Sequence, residues 1–234
     1  VSRRRCKYAL FLPLAILALG TLIAWLTPLD KVVETYFYDV KTGSWPVGDV
    51  LPFYFFNHYG EKLSTIVAVL GAVVLLIGGI WKPSFGRLRR PATFALLMLV
   101  LGPGLLVNTV LKEHAGRPRP RQLVQFGGNF EYRHPWEFGP SGEGRYSFPS
   151  GHAAVAFFYV FPYFILLAKK RRAALTCLSA GLLFGLFMGF ARMAQGAHWP
   201  SDVLWSFGTV YFCGYALARL MGLDRLPDNQ ESIT

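Results

Sequence analysis

Lys169-Lys170-Arg171-Arg172-Ala173-Ala174-Leu175-Thr176-Cys177-Leu178-Ser179-Ala180-Gly181-Leu182-Leu183-Phe184-Gly185-Leu186-Phe187-Met188-Gly189-Phe190-Ala191-Arg192 is the stretch that decides the fold. Four cations are followed by an uncharged run from Ala173 to Ala191, closed by one arginine. A helix needs about 20 apolar residues to cross roughly 30 Å of hydrocarbon, and this run supplies them. A helix on the surface of a water-soluble domain would carry a polar face. This one has none.

Working outward, five similar runs appear: Tyr8 to Leu26, Leu63 to Trp81, Ala92 to Leu111, His152 to Ala168, and Val203 to Met221. The first is too long for a signal-peptide core and has no small-residue cleavage site after it. Trp25, Trp81, Trp199 and Trp205 fall near run ends, where interfacial anchors sit. The expectation is an all-α, integral-membrane bundle of six transmembrane helices, a single domain over residues 1–234, with no internal repeat.

Lys and Arg orient it. Arg3, Arg4, Arg5 and Lys7 precede the first run; Lys82, Arg87, Arg89 and Arg90 lie between the second and third; Lys169 to Arg172 lie between the fourth and fifth. With six spans these share one side with both termini, and the positive-inside rule makes that side cytoplasmic. The loops on the other side hold Asp30, Glu34, Asp39, Asp49 and Glu61, then Glu113, Glu131, Glu137 and Glu143, read here as acids that mark the outer face. A net charge of +11 could suit nucleic acid. Because the basic clusters abut spans, they serve topology and anionic lipid instead, and no nucleic-acid partner is expected. Cys6, Cys177 and Cys213 lie in the basic tail and in spans, so no disulfide framework is implied.

Three segments then fall on the outer side. In the first, Lys112 ends the third span and Arg119 follows a break at Gly116, held between Pro118 and Pro120. An arginine fork donates two parallel hydrogen bonds to a phosphate. Arg117 and Arg121 are read as residues that merely reach to lipid head groups. In the second, Pro149-Ser150-Gly151-His152 opens the fourth span. Ser150 is a natural N-cap, Gly151 lets backbone approach a ligand, and the helix N-terminus favours an anion beside His152. In the third, Arg192 closes the fifth span, His198 follows, and Asp202 lies four residues beyond His198. On a helical turn that spacing sets the carboxylate beside the imidazole. A carboxylate on one ring nitrogen leaves the other free as nucleophile, and imidazole can carry a phosphoryl group covalently. The Gly-, Pro- and aromatic-rich loop from Lys112 to Gly151 reads as an irregular cap over these segments, with Arg121, Arg133 and Arg145 available to a large anionic head group.

Lys112-x6-Arg119-Pro120, Pro149-Ser150-Gly151-His152 and Arg192-x5-His198-x3-Asp202 resemble the tripartite signature of the type 2 phosphatidic acid phosphatase superfamily. Ala191 stands where that family usually has serine. The resemblance implies a membrane lipid phosphatase that works without metal or other cofactor. It implies that His198 attacks phosphorus, Asp202 orients it and His152 protonates the leaving oxygen. Lys112, Arg119, Arg192, Ser150 and Gly151 would hold the phosphoryl oxygens. The substrate would be a phosphorylated lipid of a bacterial inner membrane, met on the periplasmic face.

Gly102-Pro103-Gly104 running to Lys112, and Arg192 to His198, look like bacterial lipid A 4′-phosphatases. Undecaprenyl diphosphate and phosphatidylglycerol phosphate phosphatases share the signature, and a lipid-to-lipid phosphotransferase would use the same site. A transporter would place charge or broken helices at mid-membrane. Gly102-Pro103-Gly104 could break the third span, but charged residues occur only at span ends.

Overall fold

A computed structural model describes residues 2–81, 86–140, 144 and 146–223. Lys82, Glu143 and Arg145 lie outside the described residues, as do the side chains of Arg3, Arg4, Arg5, Cys6, Lys7, Trp81 and Arg87.

The chain is helical along all six apolar runs. Helix α1 is Ser2–Leu26, and α2, Leu29–Phe37, follows at its end. A short turn α3, Phe53–Phe55, and a wider turn Phe56–Gly60 lead into α4, Glu61–Trp81. Helix α5, Gly86–Leu99, runs straight on through Val100–Leu111 to α6, Lys112–Ala115. Then come α7, Gly151–Phe157, α8, Phe161–Leu166, α9, Arg171–Met193, and α10, Pro200–Leu220. The stretch Gly102-Pro103-Gly104 does not break the third run. Instead Val100–Leu111 widens to π-helical pairing, which absorbs the amide that Pro103 lacks.

The centre is made by α5, α7, α8 and α10, where Phe94, Met98, Val107, Phe157, Phe158, Tyr163, Phe164, Val210 and Tyr211 are buried together. Helix α9 joins them closely because Gly181, Gly185 and Gly189 recur every fourth residue along one side. A Cβ at Gly181 would strike the backbone of Val160, and one at Gly185 the ring of Phe157. Small residues at that spacing let helix backbones approach where lipid offers no hydrophobic drive. Outside, Leu12, Leu19, Leu70, Val74, Leu183 and Leu186 remain exposed. Among the described residues, three helical stretches are each long and apolar enough to cross a membrane: Tyr8–Leu26, Leu88–Gln122 and Arg171–Met193. Gly151–Leu166 is a shorter apolar helix.

Among its described residues the long loop is irregular apart from two 3₁₀ turns, Pro120–Gln122 and Val124–Phe126. It is fastened to the end of α1: Trp25 Nε1 donates to Pro135 O at 2.9 Å and stacks on His134. Trp136 packs edge-on against Trp205, whose Nε1 donates to Thr21 Oγ1 at 3.0 Å. Trp199 corrects its expectation as an interfacial anchor. It is fully buried, packs with Leu123 and Phe126, and donates to Pro118 O at 2.9 Å.

Candidate active site

Each signature segment begins or ends a helix at the same end of the bundle. Helix α6 stops at Gly116, whose φ of +60° suits glycine, and the chain turns back through Arg117 to Arg121. Helix α9 ends at Met193, and the tight stretch 194–199 carries His198 to the start of α10. Hydrogen bonds join the segments directly: Arg121 N donates to Gly196 O at 3.0 Å, and Ser147 N to Arg117 O at 3.0 Å. Ser206 Oγ donates to Ser150 O at 2.9 Å, tying α10 to the cap of α7.

Ser150 caps α7 by accepting from Ala153 N at 3.4 Å. Gly151 follows where space is shortest. A Cβ there would lie 2.5 Å from Asn108 Oδ1 and 3.1 Å from Lys112 Nζ. The Lys112 ammonium therefore sits against the first turn of α7, with Asn108 Oδ1 at 3.4 Å. Arg192 donates to Gln195 Oε1 at 3.0 Å. The Nε atoms of Arg119 and Arg192 are buried without a hydrogen-bond partner among the described residues. Unsatisfied buried donors on cations are costly, and an anion would satisfy them.

His198 is almost wholly buried. Its Nδ1 lies 2.7 Å from Ser147 O and 3.5 Å from Asp202 Oδ2. The nearer group is a carbonyl, which only accepts, so Nδ1 carries the hydrogen and Nε2 keeps its lone pair. Burial, with Arg192 and Lys112 adding to it against the pull of Asp202, pushes the imidazole down to about 3. The ring is neutral at working pH. That is the state a nitrogen nucleophile requires.

Asp202 faces more than His198. It also accepts from Trp199 N at 2.9 Å, from Ser147 Oγ at 2.5 Å and from Arg117 Nη1 at 2.5 Å. Arg117 overturns its reading as a head-group residue: it is 1% exposed. Its other amine donates to Asp30 Oδ2 at 2.7 Å and Tyr132 OH at 3.1 Å, and its Nε to Arg133 O at 2.8 Å. Asp30 in turn accepts from Ser201 N at 3.0 Å and from Tyr132 OH at 3.0 Å. A buried guanidinium between two carboxylates is tolerable only with such complete pairing.

His152 has a partner that the sequence reading did not supply. Its Nδ1 lies 2.8 Å from Glu61 Oε2, at the start of α4. Arg121 is exposed. Arg133 is committed to the backbone, donating to Gly116 O at 2.9 Å. Among the described residues no three His, Cys, Asp or Glu side chains group as metal ligands.

Asp30, Glu61, Arg117, Tyr132, Ser147 and Ser201 are thus the site residues that motif spacing missed. Asp30 and Glu61 carried one signal, as acids close to span ends on the side of the motifs. Ser147 works through its hydroxyl on Asp202 and its carbonyl on His198, and no side-chain pattern announces the second.

A lipid A 4′-phosphatase of Francisella tularensis subsp. novicida is 30% identical over 194 residues, 82% of this chain and 86% of that protein. One from Rhizobium leguminosarum is 32% identical over 202 residues, 81% of this chain and 80% of its own. Among solved structures, the transmembrane PAP2-type phosphatidylglycerolphosphate phosphatase of Bacillus subtilis covers 95% of this chain and 97% of its own, at 21% identity and a TM-score of 0.46. Residues 91–225, which contain all three signature segments, match the PAP2 superfamily. This chain belongs to the PAP2 superfamily.

Proposed function

We propose that the protein removes a phosphate from a membrane lipid through a phosphohistidine at His198, on the outer face of a bacterial inner membrane. The observation that carries this is the state of His198. It is a neutral imidazole whose Nδ1 is engaged by Ser147 O, at the joint of three segments that bring Lys112, Arg119 and Arg192 with them.

In the first half, His198 Nε2 attacks phosphorus, the P–O bond to the lipid breaks, and the leaving oxygen takes a proton from His152. In the second, water attacks phosphorus, its proton passes to His152, and the P–N bond breaks to release inorganic phosphate. Lys112, Arg119, Arg192 and the N-terminus of α7 hold the phosphoryl oxygens as charge develops, the kind of fixed electrostatics that lowers such barriers most. Arg117 keeps Asp202 ionised and in place behind His198. These side chains supply the charge that a divalent cation provides elsewhere, so turnover is expected to persist in excess chelator.

The basic loops favour cytoplasmic termini, because Arg89, Arg90 and Lys169 to Arg172 lie at the helix ends remote from the site. The 4′-phosphate of lipid A is the favoured substrate, on the strength of relatives that match four-fifths of the chain. Undecaprenyl diphosphate and phosphatidylglycerol phosphate remain within reach of the same chemistry, as does transfer to a second lipid in place of water. Purified protein in detergent, assayed for phosphate release from lipid A, undecaprenyl diphosphate, phosphatidylglycerol phosphate and phosphatidic acid, separates them. Preference for lipid A supports the proposal; preference for another overturns the substrate and leaves the chemistry. Release from none, with phosphate appearing on an added lipid acceptor, makes the protein a transferase.

A further inference from the structure

We infer that Glu61 is a positioning residue for His152, fixing the ring and supporting the charged imidazolium that gives its proton to the leaving oxygen. This rests on the phosphatase reading above and adds a residue that lies outside all three signature segments.

The pair is a tertiary device. His152 is in the first turn of α7, while Glu61 is the first residue of α4. What brings Glu61 there is the turn before it. Phe53 and Phe56 pack their rings against Phe187, Phe184 and Phe190 of α9. Gly60 lies so close to α9 that a Cβ would collide with Met188 Cε. Asn57 Nδ2 donates to Gly48 O at 3.3 Å. The start of α4 is therefore pinned, and Glu61 projects to His152 Nδ1 at 2.8 Å.

This pair is not a core ion pair. The side chains of His152 and Glu61 keep 21% and 31% of their exposure, so both border the open part of the site. The charged groups that face them are Lys112 and Arg192, both cations. Burial first, and then the two cations, oppose protonation of the His152 imidazole, and a proton donor must be protonated before it acts. Among these neighbours Glu61 alone is anionic, so it offsets them. A carboxylate on Nδ1 also aims Nε2 away from α4 and makes it the donor. When Nε2 gives up its proton, Nδ1 keeps its own on Glu61. The neutral ring is then ready to take a proton back from water.

The two histidines thus differ in their nearest Nδ1 partner and in their exposure. His198 has its Nδ1 nearest a neutral carbonyl, in a buried place that keeps it uncharged. His152 has its Nδ1 on a carboxylate at the rim. Burial lowers both imidazoles, His198 to about 3, and at His152 the close Glu61 carboxylate opposes that shift.

The test is Glu61→Gln in the full-length protein in detergent, with lipid A and nitrophenyl phosphate as substrates. For lipid A, kcat should fall about 10- to 100-fold with little change in KM, as for other carboxylates that orient a histidine. The alkaline limb of the kcat profile should move to lower pH, and Glu61→Asp should recover part of both. With nitrophenyl phosphate, whose leaving oxygen needs little protonation, the deficit should shrink. On a His152→Ala background, Glu61→Gln should cost nothing further. An equal deficit for both substrates with an unmoved alkaline limb, or a full additional loss on His152→Ala, overturns the inference. Labelling of His198 by radioactive substrate in the wild type checks the underlying reading separately. No label there overturns that reading and this inference with it.

Discussion

Arg117 Nη1 lies 2.5 Å from Asp202 Oδ1, with both side chains cut off from solvent. The guanidinium reaches Asp202 past Ser201 and holds Asp30 with its other amine. A residue in the turn after α6 and a residue in α2 therefore set the carboxylate that stands behind His198. The reaction site and the fold share these groups.

Removing one partner of a buried ion pair leaves a bare charge and costs about 3–5 kcal/mol. Arg117→Ala is accordingly expected to lower the melting temperature sharply or to abolish folding, measured by monodispersity in detergent after heating. Arg117→Lys should recover little, since an ammonium cannot span both carboxylates with a planar fork. Asp30→Asn, which keeps acceptor and shape, should be milder. A wild-type melting curve for Arg117→Ala would contradict the network.

The depressed His198 value has a pH signature. An imidazole titrates near 6.5 in the unfolded chain and at about 3 when folded. Between those values the unfolded state binds the extra proton, so stability falls as pH falls. The contribution is roughly 1.4 kcal/mol per pH unit. Replacing His198 by Gln should flatten thermal stability from pH 6 to pH 4. An acid limb of kcat/KM near 6.5 that tracks His198 would contradict the neutral nucleophile.

Gly151→Ala tests the phosphate cradle. The new methyl would press on Lys112 Nζ and Asn108 Oδ1. Inhibition by vanadate and inorganic phosphate should weaken by about 10-fold or more while the melting temperature changes little. Unchanged inhibition would remove the first turn of α7 from the anion site.

Orientation is tested by labelling. In a variant lacking Cys6, Cys177 and Cys213, Val124→Cys is exposed in the long loop and Lys170→Cys at the opposite end of the helices. A membrane-impermeant maleimide should reach position 124 in spheroplasts and position 170 only after lysis. The reverse pattern would put the site in the cytoplasm.

Much of this was legible in the sequence. The apolar runs lie along the long helices, although α1 and α5 begin six residues before their runs, because a span must satisfy its backbone internally and leaves a continuous apolar record. The three signature segments lie together because each sits at a helix end. Which lone charges are paired inside the protein is not legible: sequence reads Asp30, Glu34 and Glu61 only as acids near span ends and Arg117 as a head-group residue. Yet Asp30, Glu34 and Arg117 are buried, and Glu61 holds His152. Charge at a span end has two physical solutions, solvation at the head groups or pairing inside the protein. Only the partner's position decides between them, and Asp30 and Ser201 are 171 residues apart. Trp199 misled for the same reason. An indole near a span end suits the membrane interface, and it suits equally a carbonyl such as Pro118 O.

The central claim is that His198 carries the phosphoryl group. The direct measurement is rapid quench of the protein with radiolabelled lipid A under alkaline conditions that preserve phosphoramidates, followed by peptide mass spectrometry. The account predicts an acid-labile phosphate on His198 that appears before free phosphate and is absent in His198→Ala. It also predicts accumulation of that label in His152→Ala supplied with nitrophenyl phosphate, since formation then needs little acid while breakdown still needs the base. Label on another residue, or full turnover by His198→Ala, would contradict it.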